Sequence, residues 1–139
     1  MAIETMTPDE YRKMLAEAMS EKDLQTHVRC VAKVNGWRAF CWWLSLHSPA
    51  GWTDLVLIRE IDRGDHDLDW LWDLRGYPKA EMIFVELKSE KGKVSPEQEE
   101  VHRLLRLTGH AVYVWRPSDL LSGRVEEVLG GFRQTEEPK

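Results

Sequence analysis

Glu86 and Lys88 stand inside "MIFVELK", an otherwise apolar run of the kind that forms a buried strand. A strand turns alternate side chains to opposite faces, so Glu86 and Lys88 share one face while Val85 and Leu87 share the other. An unpaired charge in such a place is costly. The two groups must either pair with each other or share a site with something that needs an acid and an ammonium together. Shortly after the strand, "VSPEQEEVHRLLRL" opens a helix at Ser95 whose apolar stripe is Val101, Leu104 and Leu105. Gln98 lies three before Val101 and seven before Leu105, on that inward face, while Glu97, Glu99 and Glu100 point elsewhere. Ser95-x-x-Gln98 is also a capping box, and alone the cap is the simpler account of Gln98.

Glu21 and Asp54 pose the same choice. Glu21 lies three before Leu24 and seven before Val28, and Gln25 three before Val28, in a helix striped by Leu24, Val28, Val31 and Ala32. That puts both on the core-facing stripe near the helix N-terminus, where an acid is also favoured by the helix dipole. Asp54 opens "DLVLI" after "HSPAGWT", and an Asp beside a turn is ordinarily a cap or an Asx-turn. Each group has a plain explanation. Their order along the chain is harder to dismiss.

That order resembles the PD-(D/E)xK nuclease superfamily and, within it, the VRR-NUC domain. The family pattern is a helical Glu followed shortly by Gln, then Gly-x-Pro-Asp, Glu-x-Lys, Ser-x-x-Gln, and a strand followed by Arg-Pro-Ser-Asp. Here these are "EKDLQ", "GWTD", "ELK", "SPEQ" and "VYVWRPSDL", spanning roughly Glu21 to Leu121. An isolated Glu-x-Lys is a weak motif; five elements in order on matching secondary structures are more specific. Thr53 departs from the pattern, standing where the family usually has a Pro that shapes the turn and is not a ligand. The acidic segment 59–80 reads as an insertion or an elaborated hairpin.

The resemblance implies a Mg²⁺-dependent endonuclease acting on DNA, with branched or junction-like substrates, and short members acting as homodimers similar to Holliday-junction resolvases. A phosphodiester is shielded from attack by its own negative charge, and a hard divalent cation held by carboxylates neutralises that charge and activates a water. Metal ligands would be Asp54, Glu86, the backbone carbonyl of Leu87, and Glu21, with Glu17 as the helical alternative if the first two helices are continuous. Lys88 would orient the water or stabilise developing charge, and Gln98 would position Lys88 or the water. Oxygen ligands favour Mg²⁺, with Mn²⁺ as a substitute. The rivals are a nucleic-acid-binding module or a protein-interaction module on the same fold, neither of which needs Asp54, Glu86 and Lys88 together.

The elements that must position these groups follow from caps and periodicity. Thr7-Pro8-Asp9-Glu10 starts a helix ending near Met19, and Ser20 caps a second to about Asn35, closed by Gly36. "WRAFCWWLS" and "TDLVLI" predict strands, and residues 59–80 are polar and irregular. Then come the "MIFVELK" strand, a helix from Ser95 to Thr108, the strand "AVYVW", and a final helix from Pro117 to Leu129. The order ααβββαβα predicts an α/β fold: a mixed sheet flanked by helices. The resemblance implies a restriction-endonuclease-like αβββαβ core, about 20–121, with an extra N-terminal and a C-terminal helix.

At 139 residues, with 42% hydrophobic and 31% charged residues, the chain predicts one domain, 1–139, with a substantial core. No run approaches the about 20 apolar residues of a membrane span, and the polar N-terminus does not resemble a signal peptide, so a cytoplasmic protein is expected. His27, Cys30, Cys41 and His47 match no familiar zinc spacing, and two reduced buried thiols are expected instead. The net charge of −5 argues against binding nucleic acid through bulk charge. Its distribution is uneven. Residues 59–81 hold seven acids against four bases, whereas between Glu21 and Arg38 the bases Lys22, Arg29, Lys33 and Arg38 face only Glu21 and Asp23. Among the seven tryptophans, Trp37, Trp42, Trp43 and Trp115 are expected in the core. Trp70 and Trp72, within "DLDWLWDL", belong either to an edge hairpin closed on the domain or to a subunit contact.

Overall fold

A computed structural model describes residues 5–41, 49–61 and 66–131. The expected core residues Trp42 and Trp43, and His47, lie outside them.

Two capped helices open the chain. Helix α1 (Pro8–Ala18) begins with the reciprocal Thr7/Glu10 capping box, and α2 (Glu21–Val34) begins at Ser20, whose hydroxyl accepts from the Asp23 amide. Met19 between them is extended, so the helices are separate and Glu17 stays on exposed α1, away from the role kept open for it. Strand β1 (Arg38–Cys41) pairs antiparallel with β2 (Leu55–Glu60), and β2 pairs antiparallel with β3 (Ala80–Leu87). Strand β3 runs parallel to β4 (Ala111–Trp115), and α4 (Pro96–Leu107) makes the crossover that a parallel pair requires. The result is a mixed four-stranded sheet in the order β1-β2-β3-β4 with helices against it, the α/β architecture expected.

Alternation along β3 sorts the two faces of the sheet. Its odd-numbered residues Ile83, Val85 and Leu87 join Leu55 and Leu57 of β2 and Trp115 of β4 under Leu24, Val28 and Ala32 of α2. Each such fully buried aliphatic side chain contributes about 1.5–3 kcal/mol. The even-numbered Phe84 and Glu86 turn to the other face, where Phe84 meets Trp52 and His110 edge-on and α4 lies over Glu86. At the end of the sheet remote from Glu86, Arg59 is buried, bonded by Nη2 to Glu81 at 2.8 Å and by Nη1 to the Leu129 carbonyl at 2.8 Å. Its guanidinium lies over the Trp37 ring, whose indole N–H also donates to Leu129.

Two expectations about elements are corrected. The segment 59–80 is not irregular throughout: a 3-10 turn (His66–Leu68) leads into α3 (Asp69–Leu74), so Trp70 and Trp72 sit on a short helix and not on a hairpin. The final helix is broken into α5 (Pro117–Leu121) and α6 (Arg124–Gly131), because Gly123 adopts φ +83°, a left-handed conformation that ends α5. The break turns Val125 and Leu129 of α6 into the main core.

Candidate active site

Strand pairing brings the first two acids together. The β2–β3 register ends with Leu55 opposite Val85, so one further step sets Asp54 alongside Glu86 on the same face. Asp54 is not a local turn cap: its Oδ2 accepts from the Leu87 amide at 2.8 Å, across to the neighbouring strand. Amide and carbonyl of one extended residue leave a strand on the same side, so the Leu87 carbonyl also faces Asp54. Gly51 holds the preceding loop in place. Its φ of +84° is left-handed, and a Cβ there would collide with the Glu97 carbonyl at the start of α4. The Asp54 loop and the N-terminus of α4 thus approach each other as closely as backbone allows.

Glu86 is 1% exposed and lies at the centre of the cluster. Its Oε1 accepts from Gln98 Nε2 at 2.8 Å and lies 3.6 Å from Lys88 Nζ. Its Oε2 is buried and accepts from no donor, while the carboxyl as a whole is set against the Asp54 carboxylate, one acceptor facing another. Burial first, and then the neighbouring Asp54 carboxylate, push the Glu86 carboxyl up to about 8, while Lys88 pulls the other way. The protein alone therefore keeps a proton on this acid at neutral pH.

Gln98 serves two ends at once. Its Oε1 accepts from the Ser95 amide at 2.9 Å while Ser95 Oγ accepts from the Gln98 amide, so the capping box forms. The amide nitrogen left over donates to Glu86. The cap and the site are thus compatible, and the side chain of Gln98 bonds to Glu86, where a role in positioning Lys88 or the water was expected.

Glu21 is exposed, not on the buried stripe, and reaches the site only at its rim: its Oε1 accepts from the Ser89 amide at 3.3 Å, one residue after Lys88. The Lys88 amide donates to Trp115, which ties this corner to β4. Beyond it the 89–92 turn is held by Arg116, whose Nη1 reaches the carbonyls of Ser89, Glu90 and Gly92, while the Ser118 amide donates to Glu90. The Arg116-Pro-Ser-Asp119 run therefore braces the turn behind Lys88, with Asp119 accepting from the Arg116 amide.

Sequence reasoning missed His102. It is 2% exposed, with Nε2 unbonded and 3.8 Å from the equally unbonded Glu86 Oε2. Burial, then Arg106 and Lys88, hold its pKa below the ordinary value, so the ring is neutral at neutral pH. The available signal was spacing: His102 follows Gln98 by four and so shares its face. The inward stripe runs through Gln98, His102 and the half-buried Val101 and Leu105; Leu104, expected inside, is 49% exposed.

Among the described residues no group of three or more His, Cys, Asp or Glu side chains could hold a metal ion. A Mg²⁺ ion does not require three, since it is commonly held by one or two carboxylates with several waters retained. Asp54 and Glu86 offer such a pair, and the orphaned Glu86 Oε2, together with the proton that crowding forces on that acid, fits a divalent cation. Of the zinc alternative, Cys30 is free and exposed, not buried as expected, and Cys41 is free and half-buried.

Comparison with family models, with curated proteins and with solved structures matched none of them to this chain. Among the described residues no helix is long and apolar enough to cross a membrane.

Proposed function

We propose that this protein is a metal-dependent DNA endonuclease of the VRR-NUC type, hydrolysing phosphodiester bonds with a preference for branched DNA. The observation that carries this is Glu86: a buried acid, one oxygen unpartnered, beside a second acid and a lysine on one face of the sheet. A purely structural acid would be fully paired. The succession α2, β1, β2, β3, α4, β4, with α3 inserted before β3, supports a restriction-endonuclease-like core.

Asp54, Glu86 and the Leu87 carbonyl would hold Mg²⁺, or Mn²⁺ in its place, with Glu21 completing the site from its rim. Bound there, the cation would neutralise phosphate charge and acidify a water for attack. Lys88, steadied by Glu86 and by its backbone bond to β4, would set its ammonium against the charge developing on the phosphoryl oxygens. Gln98 would keep Glu86 turned toward Asp54, and His102 would shield the back of Glu86 from solvent.

A second reading, a protein-interaction module, draws on the exposed Trp70, Leu74 and Tyr77 of the segment before β3. We treat that surface as a contact between two copies of a nuclease, since paired cuts on a two-fold junction call for two active sites. The deciding experiment is a cleavage assay over linear, flapped and four-way DNA with Mg²⁺, Mn²⁺ or EDTA. Metal-dependent nicking, fastest on branched forms, is expected; no cleavage of any form with either metal would overturn the proposal.

A further inference from the structure

One stripe on the outer face of α2 carries bases and no acid. Lys22, Thr26, Arg29 and Lys33 recur at intervals of four, three and four, which places them on a single stripe of the helix. Beside that stripe β1 closes the groove with Ala39 and the backbone of Arg38, whose side chain turns to the other face of the sheet and lays its guanidinium 5.3 Å from the centre of the Phe40 ring. Between helix and strand lies a groove of about 430 Å³, lined by Thr26, Arg29, Cys30, Lys33, Trp37, Arg38 and Ala39. None of these lining residues is acidic, although the whole chain carries a net charge of −5.

We infer that this groove is the track of the nucleic-acid backbone, taking the phosphates of the DNA arm that leads to the scissile bond. The inference rests on the proposed nuclease site, because α2 begins at Glu21, on the rim of that site, and its basic stripe runs away from it. From Lys22 to Lys33 a helix rises about 16 Å, at about 1.5 Å per residue. That matches about five nucleotides of one strand, at about 3.4 Å each. Charge complementarity selects the occupant: arginine and lysine in a row, with the Thr26 hydroxyl among them, suit a ladder of phosphates. An isolated carboxylate would use only part of the row. The two acids of α2, Glu21 and Asp23, are confined to its first turn, at the metal end, where they would not oppose the phosphates lying further along.

The test separates binding from chemistry by using a Lys88→Ala background in EDTA, with fluorescence anisotropy of a labelled DNA duplex as the readout. Combined Lys22→Glu, Arg29→Glu and Lys33→Glu changes should weaken binding at least tenfold at low salt. They should also flatten the plot of log affinity against log salt by about 3, near 0.9 per lost phosphate contact. Lys79→Glu, a change at an exposed lysine paired with Asp73, should alter neither. Unchanged affinity and slope in a folded triple variant would overturn the track. Should the triple variant not fold, acetylation of the unmodified protein followed by mass spectrometry gives the answer: DNA should protect Lys22 and Lys33 and leave Lys79 reactive. Equal reactivity of all three with and without DNA would overturn it too. Poly-glutamate binding as tightly as DNA would mark an acidic protein as the partner and reject the nucleic acid. Because no cleavage is measured, the track can fail while the metal site stands, and the reverse.

Discussion

Glu86 combines a position that burial makes expensive with a neighbour, Asp54, that further disfavours its ionisation. Its carboxyl, pushed up to about 8 by burial and by Asp54, stays protonated in the folded protein without metal, whereas in the unfolded chain it ionises near 4.5. Between those values the unfolded state binds fewer protons, so stability falls as pH rises through that window and is flat above it. Thermal melts in EDTA should therefore show wild type losing stability relative to Glu86→Gln from about pH 4.5 to 8, and Mg²⁺ should reverse the loss most strongly at the alkaline end. A difference between the two proteins that is independent of pH would refute this account of Glu86. Lys88→Ala and Asp54→Asn are expected to leave the fold intact and remove cleavage, since donors and ligands that meet transition-state charge are worth about 3 kcal/mol or more. That is a fall of about a hundredfold or greater in the rate constant, and a Lys88→Ala protein cutting at the wild-type rate would sink the mechanism.

At the scale of elements, the site depends on two backbones meeting at Gly51. Gly51→Ala should cost about 1–2 kcal/mol from the left-handed conformation alone, with more from the collision with Glu97. The added methyl would push the Asp54 loop off α4, so cleavage should slow in parallel with a lower urea midpoint. A variant matching wild type in both would show that the approach is dispensable. Much of this scaffold was legible beforehand, because it is written in local chemistry. Thr7, Ser20 and Ser95 announce helix starts through side chains that bond their own first turns, and alternation in "MIFVELK" separates Glu86 and Lys88 from Val85 and Leu87 without any tertiary information. Other features depend on contacts distant in sequence. Asp54 bonding across to Leu87, and Gln98 spending its spare amide on Glu86, are settled only when β2, β3 and α4 meet. His102 was hidden because a histidine amid Val101, Leu104 and Leu105 interrupts the apolar pattern without altering it. The alternation of Trp70 and Trp72 with acids suggests a strand, yet the segment closes into one helical turn and a half, where Trp72 meets Tyr77 edge-on at 5.4 Å.

For the molecule as a whole, the segment that would carry association in the proposed nuclease lies between the two strands that would carry its chemistry, β2 and β3. The acids of the 59–81 segment would repel phosphate, while Trp70 is 63% and Leu74 77% exposed there. In the proposed homodimer these apolar groups, next to Tyr77, would be withdrawn from water against a second copy of the same surface. Light scattering at micromolar concentration should return twice the 16.2 kDa of one chain. Trp70→Ala with Leu74→Ala should shift it toward the single-chain value. A wild-type mass of one chain would reject the dimer, and a dimeric double variant would reject this surface as the contact.

Strand β3 has a further consequence for how the gene can change. From Ile83 onward its odd positions face the aliphatic core and its even positions the face that holds Glu86, so the strand carries two interleaved messages in one frame. A single codon inserted between Ala80 and Phe84 would exchange them from that point on if the pairing with β2 slid by one residue, sending Glu86 into the aliphatic layer and Val85 toward Asp54. Substitutions can edit either message alone; insertions and deletions in this strand corrupt both together.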